Sequence, residues 1–201
     1  MRSRPREALP EAQRQPETLQ AGRARLQRDV VRFLRVRERT RQEVARYLTR
    51  RGHAAERIAP ALEELTATRL VDDRRFAGLY LRDRQRLHPL ARRAVLRELI
   101  VKGVARELAV EALANSDPPW DDMQLARAAL ERRWVRWPVE QRWQRGGRFL
   151  ASRGFDTGVI REVLEVLTRE SPQGDVDPPQ DGAELRQSGA DRWPADVDED
   201  G

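Results

Sequence analysis

Apolar positions in this chain recur at helical spacing, in blocks that repeat. Leu26, Val30 and Phe33 lie on one face of a helix predicted from about residue 20 to Arg39. A second helix opens at Thr40, with Glu43 three residues on as its capping-box partner, and carries Val44, Tyr47 and Leu48. A third holds Ile58, Leu62 and Leu65, with Pro60 near its first turn or shortening it. The next block places Phe76, Leu79, Tyr80 and Asp83 on one face, then Val95, Leu96, Leu99 and Ile100, then Leu108, Ala112 and Leu113. A last block gives Met123, Ala126, Leu130 and Trp134, a helix from about Pro138 to Gly154, and a helix over about 156–169 with Val159, Ile160, Val163, Leu164 and Leu167. No strand-type alternation persists anywhere.

The blocks share a punctuation mark. Leu48-Thr-Arg-Arg-Gly52 recurs as Leu99-Ile-Val-Lys-Gly103 and as Leu150-Ala-Ser-Arg-Gly154, with the glycines 51 residues apart both times. Ten residues after each glycine stands Leu62, Leu113 or Leu164. Self-similarity at a fixed period is the mark of a repeat architecture. Glycine suits a helix end because it accepts the left-handed conformation, and the basic residue before it (Arg51, Lys102, Arg153) complements the helix dipole. The chain therefore reads as all-α: three tandem three-helix, helix-turn-helix-like repeat modules in an elongated, curved arrangement, with disordered termini. The expected boundaries are 1–20 for a basic N-terminal stretch, 21–70, 71–117 and 118–170 for the modules, and 171–201 for an acidic tail. Ser116-Asp-Pro-Pro-Trp120 reads as a hinge by composition.

Composition thins the expected core. Of the 201 residues, 36% are charged and 39% hydrophobic, many of the latter alanine, which favours several thin cores over one large one. There is no cysteine, which excludes disulfides and thiolate metal sites. No secretory signal or membrane-length apolar run is legible, and a cytoplasmic protein is expected. Charge is unevenly placed. Residues 171–201 carry nine acids against two arginines, net −7, so the remainder is net +13. A basic body points to a polyanionic partner. Arg25, Arg28, Arg32, Arg35 and Arg39 fall roughly opposite the apolar face of the first helix, either as a solvated face or as a ridge that docks phosphate or acidic protein. The tail invites two readings, a solubilising segment or an acidic competitor for the arginine ridges.

Catalytic chemistry is not legible. His53 and His88 lie in turns of different modules, outside any ligand-spaced cluster, and read as solvated turn residues. Lys102 is the sole lysine and precedes its glycine, so no phosphate loop is present. Asp72-Asp73 and Asp121-Asp122 stand just before helices, where N-capping accounts for them better than metal or acid–base chemistry. No enzyme, metal or cofactor is expected. Trp120, Trp134, Trp137 and Trp143 could stack on unpaired bases; Trp134 at helical spacing reads as core, and Trp137 and Trp143 stay open.

Leu70-Val-Asp-Asp-x-x-Phe-Ala77, followed by Tyr80 and the Arg82/Arg84 pair, resembles the RecX family of bacterial regulators of the RecA recombinase. Leu99-x-x-Lys-Gly103 and Arg153-Gly-Phe155 match as well, and the resemblance spans about residues 22–168. Arg69 stands where the family usually has glycine, which implies a more strained or differently shaped turn, and residues 116–147 match least. The resemblance implies a non-catalytic modulator that binds RecA and its single-stranded DNA filament, inhibits strand exchange and ATP hydrolysis, and serves recombination and repair; a monomer is expected. It implies salt-dependent DNA contact without sequence preference, and the residues themselves call for no membrane and no cofactor. The contact candidates are Arg32, Arg35, Arg39, Arg82, Arg86, Arg93 and Arg97. The alternative is a stand-alone helix-turn-helix repressor; no module shows an obvious recognition helix. A third class is a helical-repeat adaptor for an acidic protein.

Overall fold

The computed structural model describes residues 19–171, and the readings of the N-terminal stretch up to 18 and of the tail from 172 lie outside them. Among the described residues there are nine helices and no strand. They are α1 Leu19–Leu34, α2 Arg41–Arg50, α3 Ala55–Ala67, α4 Asp73–Arg86, α5 Arg92–Val101, α6 Arg106–Ala114, α7 Asp122–Trp134, α8 Val139–Ser152 and α9 Thr157–Glu170. Successive triplets pack internally: α1 on α2 and α2 on α3; α4 and α5 on α6; α7 and α8 on α9. The chain divides into two compact units between Asp72 and Asp73.

The repeated glycine is the C′ residue of a Schellman cap, made three times. In the first, Gly52 N donates to Thr49 O (2.9 Å) and His53 N to Leu48 O (3.1 Å). In the second, Gly103 N donates to Ile100 O and Val104 N to Leu99 O; in the third, Gly154 N donates to Ala151 O and Phe155 N to Leu150 O. The leucine four residues back is thus the acceptor that closes each cap, and it is fully buried every time. The glycines take φ of 78°, 93° and 81°, the left-handed region that the motif requires. The residue after the glycine drops into the core as Val104 and Phe155 in two repeats, and as His53 in the first.

In the first unit Leu26, Val30, Val44, Leu48, Ile58, Leu62, Leu65 and Val71 form one core. The helix predicted to reach Arg39 ends at Leu34, so Arg35 and Arg39 are not on a continuous helical stripe. Residues 35–40 form a turn and loop that leads into α2, where the Thr40–Glu43 capping box forms as expected and Arg37 makes two hydrogen bonds to Glu43. Pro60 sits inside α3 without shortening it. The carbonyl its missing N–H would have served belongs to Glu56, an exposed residue with water at hand. Arg69 holds a φ of 55°, a left-handed conformation that costs a non-glycine residue about 1–2 kcal/mol, so the strain expected of that turn is present.

In the second unit the last two triplets share a single core, running from Phe76, Leu81, Val95 and Leu99 through Trp120 to Leu130, Trp134, Leu150, Phe155 and Leu164. Shared burial replaces the separate thin cores expected from composition. The Ser116–Trp120 segment is correspondingly pinned. Trp120 is buried, its indole donates to Asp122 Oδ1 (3.1 Å), and the Trp120 and Pro118 carbonyls accept from Arg92 and Gln85. Asp121 caps α7 through the Met123 and Gln124 amides, whereas Asp122 accepts from the Arg92 amide and ties the two triplets together. The buried face of α4 is Phe76, Ala77 and Leu81; Leu79 and Asp83 are exposed. Ala77 is wholly buried and turns that face by about one residue from the reading based on large side chains alone.

Candidate polyanion-binding surface

The seven predicted contact arginines separate into two kinds. Arg32 on α1, Arg35 just past its end, Arg82 and Arg86 on α4 and Arg97 on α5 are exposed, and none has an ion-pair partner among the described residues. Arg39 and Arg93 are packing elements as well. The Arg39 guanidinium lies 4.1 Å over the Phe33 ring, which stacks on Tyr47 at a centroid distance of 4.1 Å. Burial, then the like charge of Arg37, holds the pKa of Arg39 below the usual arginine value. Arg93 donates from Nε to Gly154 O and from Nη2 to Phe155 O (3.2 Å), stitching α5 to the turn between α8 and α9. Arg97 approaches the same turn, its Nη2 3.8 Å from where a Cβ on Gly154 would lie.

Many other arginines are neutralised by acids. Arg37 pairs with Glu43, Arg41 with Glu63, Arg74 with Glu111, and Arg127 with Glu131 and Glu170. Exposed pairs of this kind add little to stability, and their chief effect is to remove those cations from the free charge of the surface. Arg84 is consumed in a latch. Tyr80 Oη donates to Glu98 Oε2 (2.6 Å), and Arg84 Nε donates to the same oxygen (2.8 Å), joining α4 to α5. Burial, then the Glu98 carboxylate, raises the Tyr80 pKa far above its ordinary value, so its hydroxyl stays a donor. The most specific phrase of the sequence is therefore largely architectural. Val71, Phe76 and Ala77 are core, Tyr80 and Arg84 form the latch, and Arg82 alone of its basic pair points outward.

Two expectations change. His53 is not a solvated turn residue: its side chain is 1% exposed and its Nε2 lies 2.8 Å from Asp29 Oδ2, while Arg51 Nη2 donates to Asp29 Oδ1 (3.1 Å). It occupies the buried position after the cap glycine, and Asp29 on α1, also buried, is its polar partner. His88 is exposed as expected. The open tryptophans pack: Trp137 sits edge-on to Phe149 at 6.4 Å and Trp143 donates to Thr168 Oγ1 (3.1 Å), both half-buried, and Trp134 is core. The contact candidates read from the sequence did not include Arg133 and Arg153, whose guanidinium groups lie 4.8 and 4.6 Å from the Phe149 centroid. The spacing of four residues between Phe149 on α8 and Arg153 at its C-cap was the available signal.

Family models for the RecX first, second and third three-helix domains match residues 28–65, 72–113 and 121–164 in that order. The chain belongs to the RecX family. The third match covers most of the stretch where the resemblance was least legible. Among RecX relatives, the regulatory protein RecX of Prosthecochloris aestuarii is 35% identical over 136 residues, covering 67% of this chain and 88% of that one. Its counterpart from Chromohalobacter salexigens is 37% identical over 139 residues, covering 68% and 88%. The crystal structure of RecX from Lactobacillus salivarius shares the fold, with a TM-score of 0.61 at 19% identity over 75% of this chain and 99% of that one. Among the described residues, no helix is long and apolar enough to cross a membrane.

Proposed function

We propose that this protein binds the RecA filament on single-stranded DNA and lowers its ATP hydrolysis and strand exchange, as the RecX resemblance implies. The observation that carries the reading is the set of exposed arginines without ion-pair partners among the described residues: Arg32 and Arg35 in the first unit, Arg82, Arg86 and Arg97 in the second. Uncompensated guanidinium groups keep their full field and suit the forks of phosphate or carboxylate. Arg39 and Arg93 complete the set as cations fixed by packing. The action is non-catalytic and needs no metal or cofactor; binding depends on salt and not on base sequence.

The test is a fourfold variant, Arg32→Gln, Arg35→Gln, Arg82→Gln and Arg86→Gln, in co-sedimentation with preformed filament. All four side chains are exposed, so the thermal midpoint should stay within a few degrees of wild type. Filament affinity should fall by about tenfold or more near 100 mM salt, with a shallower salt dependence. Unchanged affinity would contradict the proposal. Tight binding to one duplex sequence in the absence of RecA would favour a repressor instead.

A further inference from the structure

In the second unit the fold holds several cations together with neutral groups where acids would ordinarily serve. Arg153 donates from Nη1 to Pro89 O (3.0 Å) and lies over the Phe149 ring; its backbone carbonyl accepts from the Ala91 amide (3.1 Å). Arg133, exposed at the end of α7, lies against the same ring. Arg93 is held by the carbonyls of Gly154 and Phe155, the two residues after Arg153, and Arg97 comes up to Gly154. A carbonyl or an aromatic face attracts and orients a guanidinium without cancelling its charge. The contrast with Arg37, Arg41, Arg74 and Arg127, each fixed by a glutamate, is direct. Burial, then the like charges of Arg133 and Arg84, pulls the Arg153 pKa down. Arg133 and Arg153, on one ring, are thus close enough to repel each other.

We infer that Arg133 and Arg153, set on Phe149, form a phosphodiester clamp for a nucleic-acid strand, and that Arg93 and Arg97 continue the track for the neighbouring phosphates. The Phe149 ring serves as a mount for the two cations and not as a platform for a base, because guanidinium groups already lie against it. A polynucleotide is the fitting anion because it supplies charges at regular spacing along one chain and so can engage several of these cations at once, with release of its counterions. The clamp lies outside the seven arginines predicted from the sequence apart from Arg93 and Arg97. It rests on the nucleic-acid half of the proposed function and says which part of the second unit touches the strand.

The experiment compares wild type, Arg133→Gln and Arg132→Gln in fluorescence anisotropy with a labelled 20-nucleotide oligo-dT across 25–200 mM salt. Arg132 neighbours Arg133 on α7 and is exposed, and the guanidinium groups set on the Phe149 ring are those of Arg133 and Arg153, so Arg132→Gln carries the same charge change without touching the clamp. Arg133→Gln should weaken binding about three- to tenfold at low salt and reduce the magnitude of the log–log salt slope by about 0.7, while Arg132→Gln changes the slope little. Equal loss in both variants would overturn the clamp and leave only the general field of the protein. So would an Arg133→Gln variant that binds oligo-dT normally but no longer inhibits RecA, since the cluster would then be a protein contact. A wild-type protein that does not bind oligo-dT even at 25 mM salt would remove the nucleic-acid half of the proposed function along with it. Wild-type binding with Arg133→Gln binding equally well and with the same salt slope would remove the clamp alone.

Discussion

Gly154→Ala is expected to destabilise the second unit by about 2–5 kcal/mol. Two penalties add. A φ of 81° costs an alanine about 1–2 kcal/mol. The new Cβ would also stand 2.9 Å from the Cβ of Ala94, a buried residue of α5 with no side-chain rotamer to yield, so backbone must shift, at a further 1–3 kcal/mol or so. Gly52→Ala provides the control. It has the same kind of φ, 78°, but nothing within 4 Å of the new methyl, so about 1–2 kcal/mol should be lost. Urea unfolding of both variants separates the contributions. Equal losses would mean that α5 and the α8–α9 turn are not packed as described.

The second large effect is at Asp29. Truncation to alanine leaves the His53 ring, 1% exposed, without its hydrogen-bond partner, and frees Arg51 from its carboxylate. Loss of one member of a buried polar pair costs about 2–4 kcal/mol. The pH dependence has a definite sign. The His53 hydrogen bond, helped by Arg51 and opposed by burial, holds the Asp29 carboxyl below its ordinary value of 3.8. A carboxylate depressed in the folded state binds fewer protons there than in the unfolded chain. Its stabilisation is therefore present above about pH 4 and is lost as pH falls through the lower, folded-state pKa. Wild type should lose stability along that acid limb, and Asp29→Asn should show a flatter one. Parallel melting-temperature curves for the two from pH 3 to pH 7 would contradict the account.

Much of this fold was legible because its signals are local. A helix end needs the Leu-x-x-x-Gly arrangement wherever the helix lies, so three copies could be read directly and each proved to be the same cap. The Thr40–Glu43 box is local in the same sense. What the sequence concealed depends on distant partners. His53 looks solvated until α1 brings Asp29, 24 residues earlier, against it. Trp120 looks like part of a hinge until the core of the second unit closes over it. The face of α4 was misjudged because Ala77 carries little hydrophobic weight in a pattern yet is buried completely. The arginines show the same division. Exposure of Arg32, Arg82 and Arg86 follows from helical phase, whereas Arg93 as a stitch and Arg133 beside Arg153 require α5, α7 and α8 to be in place.

The central claim is that this chain regulates a recombinase filament, and ATP hydrolysis by preformed RecA–single-stranded DNA filaments, followed as the protein is added, tests it most directly. The account predicts that hydrolysis falls steeply, with strong inhibition well below one protein per RecA subunit. Unchanged hydrolysis at equimolar protein, with the cognate RecA fully active, would contradict it.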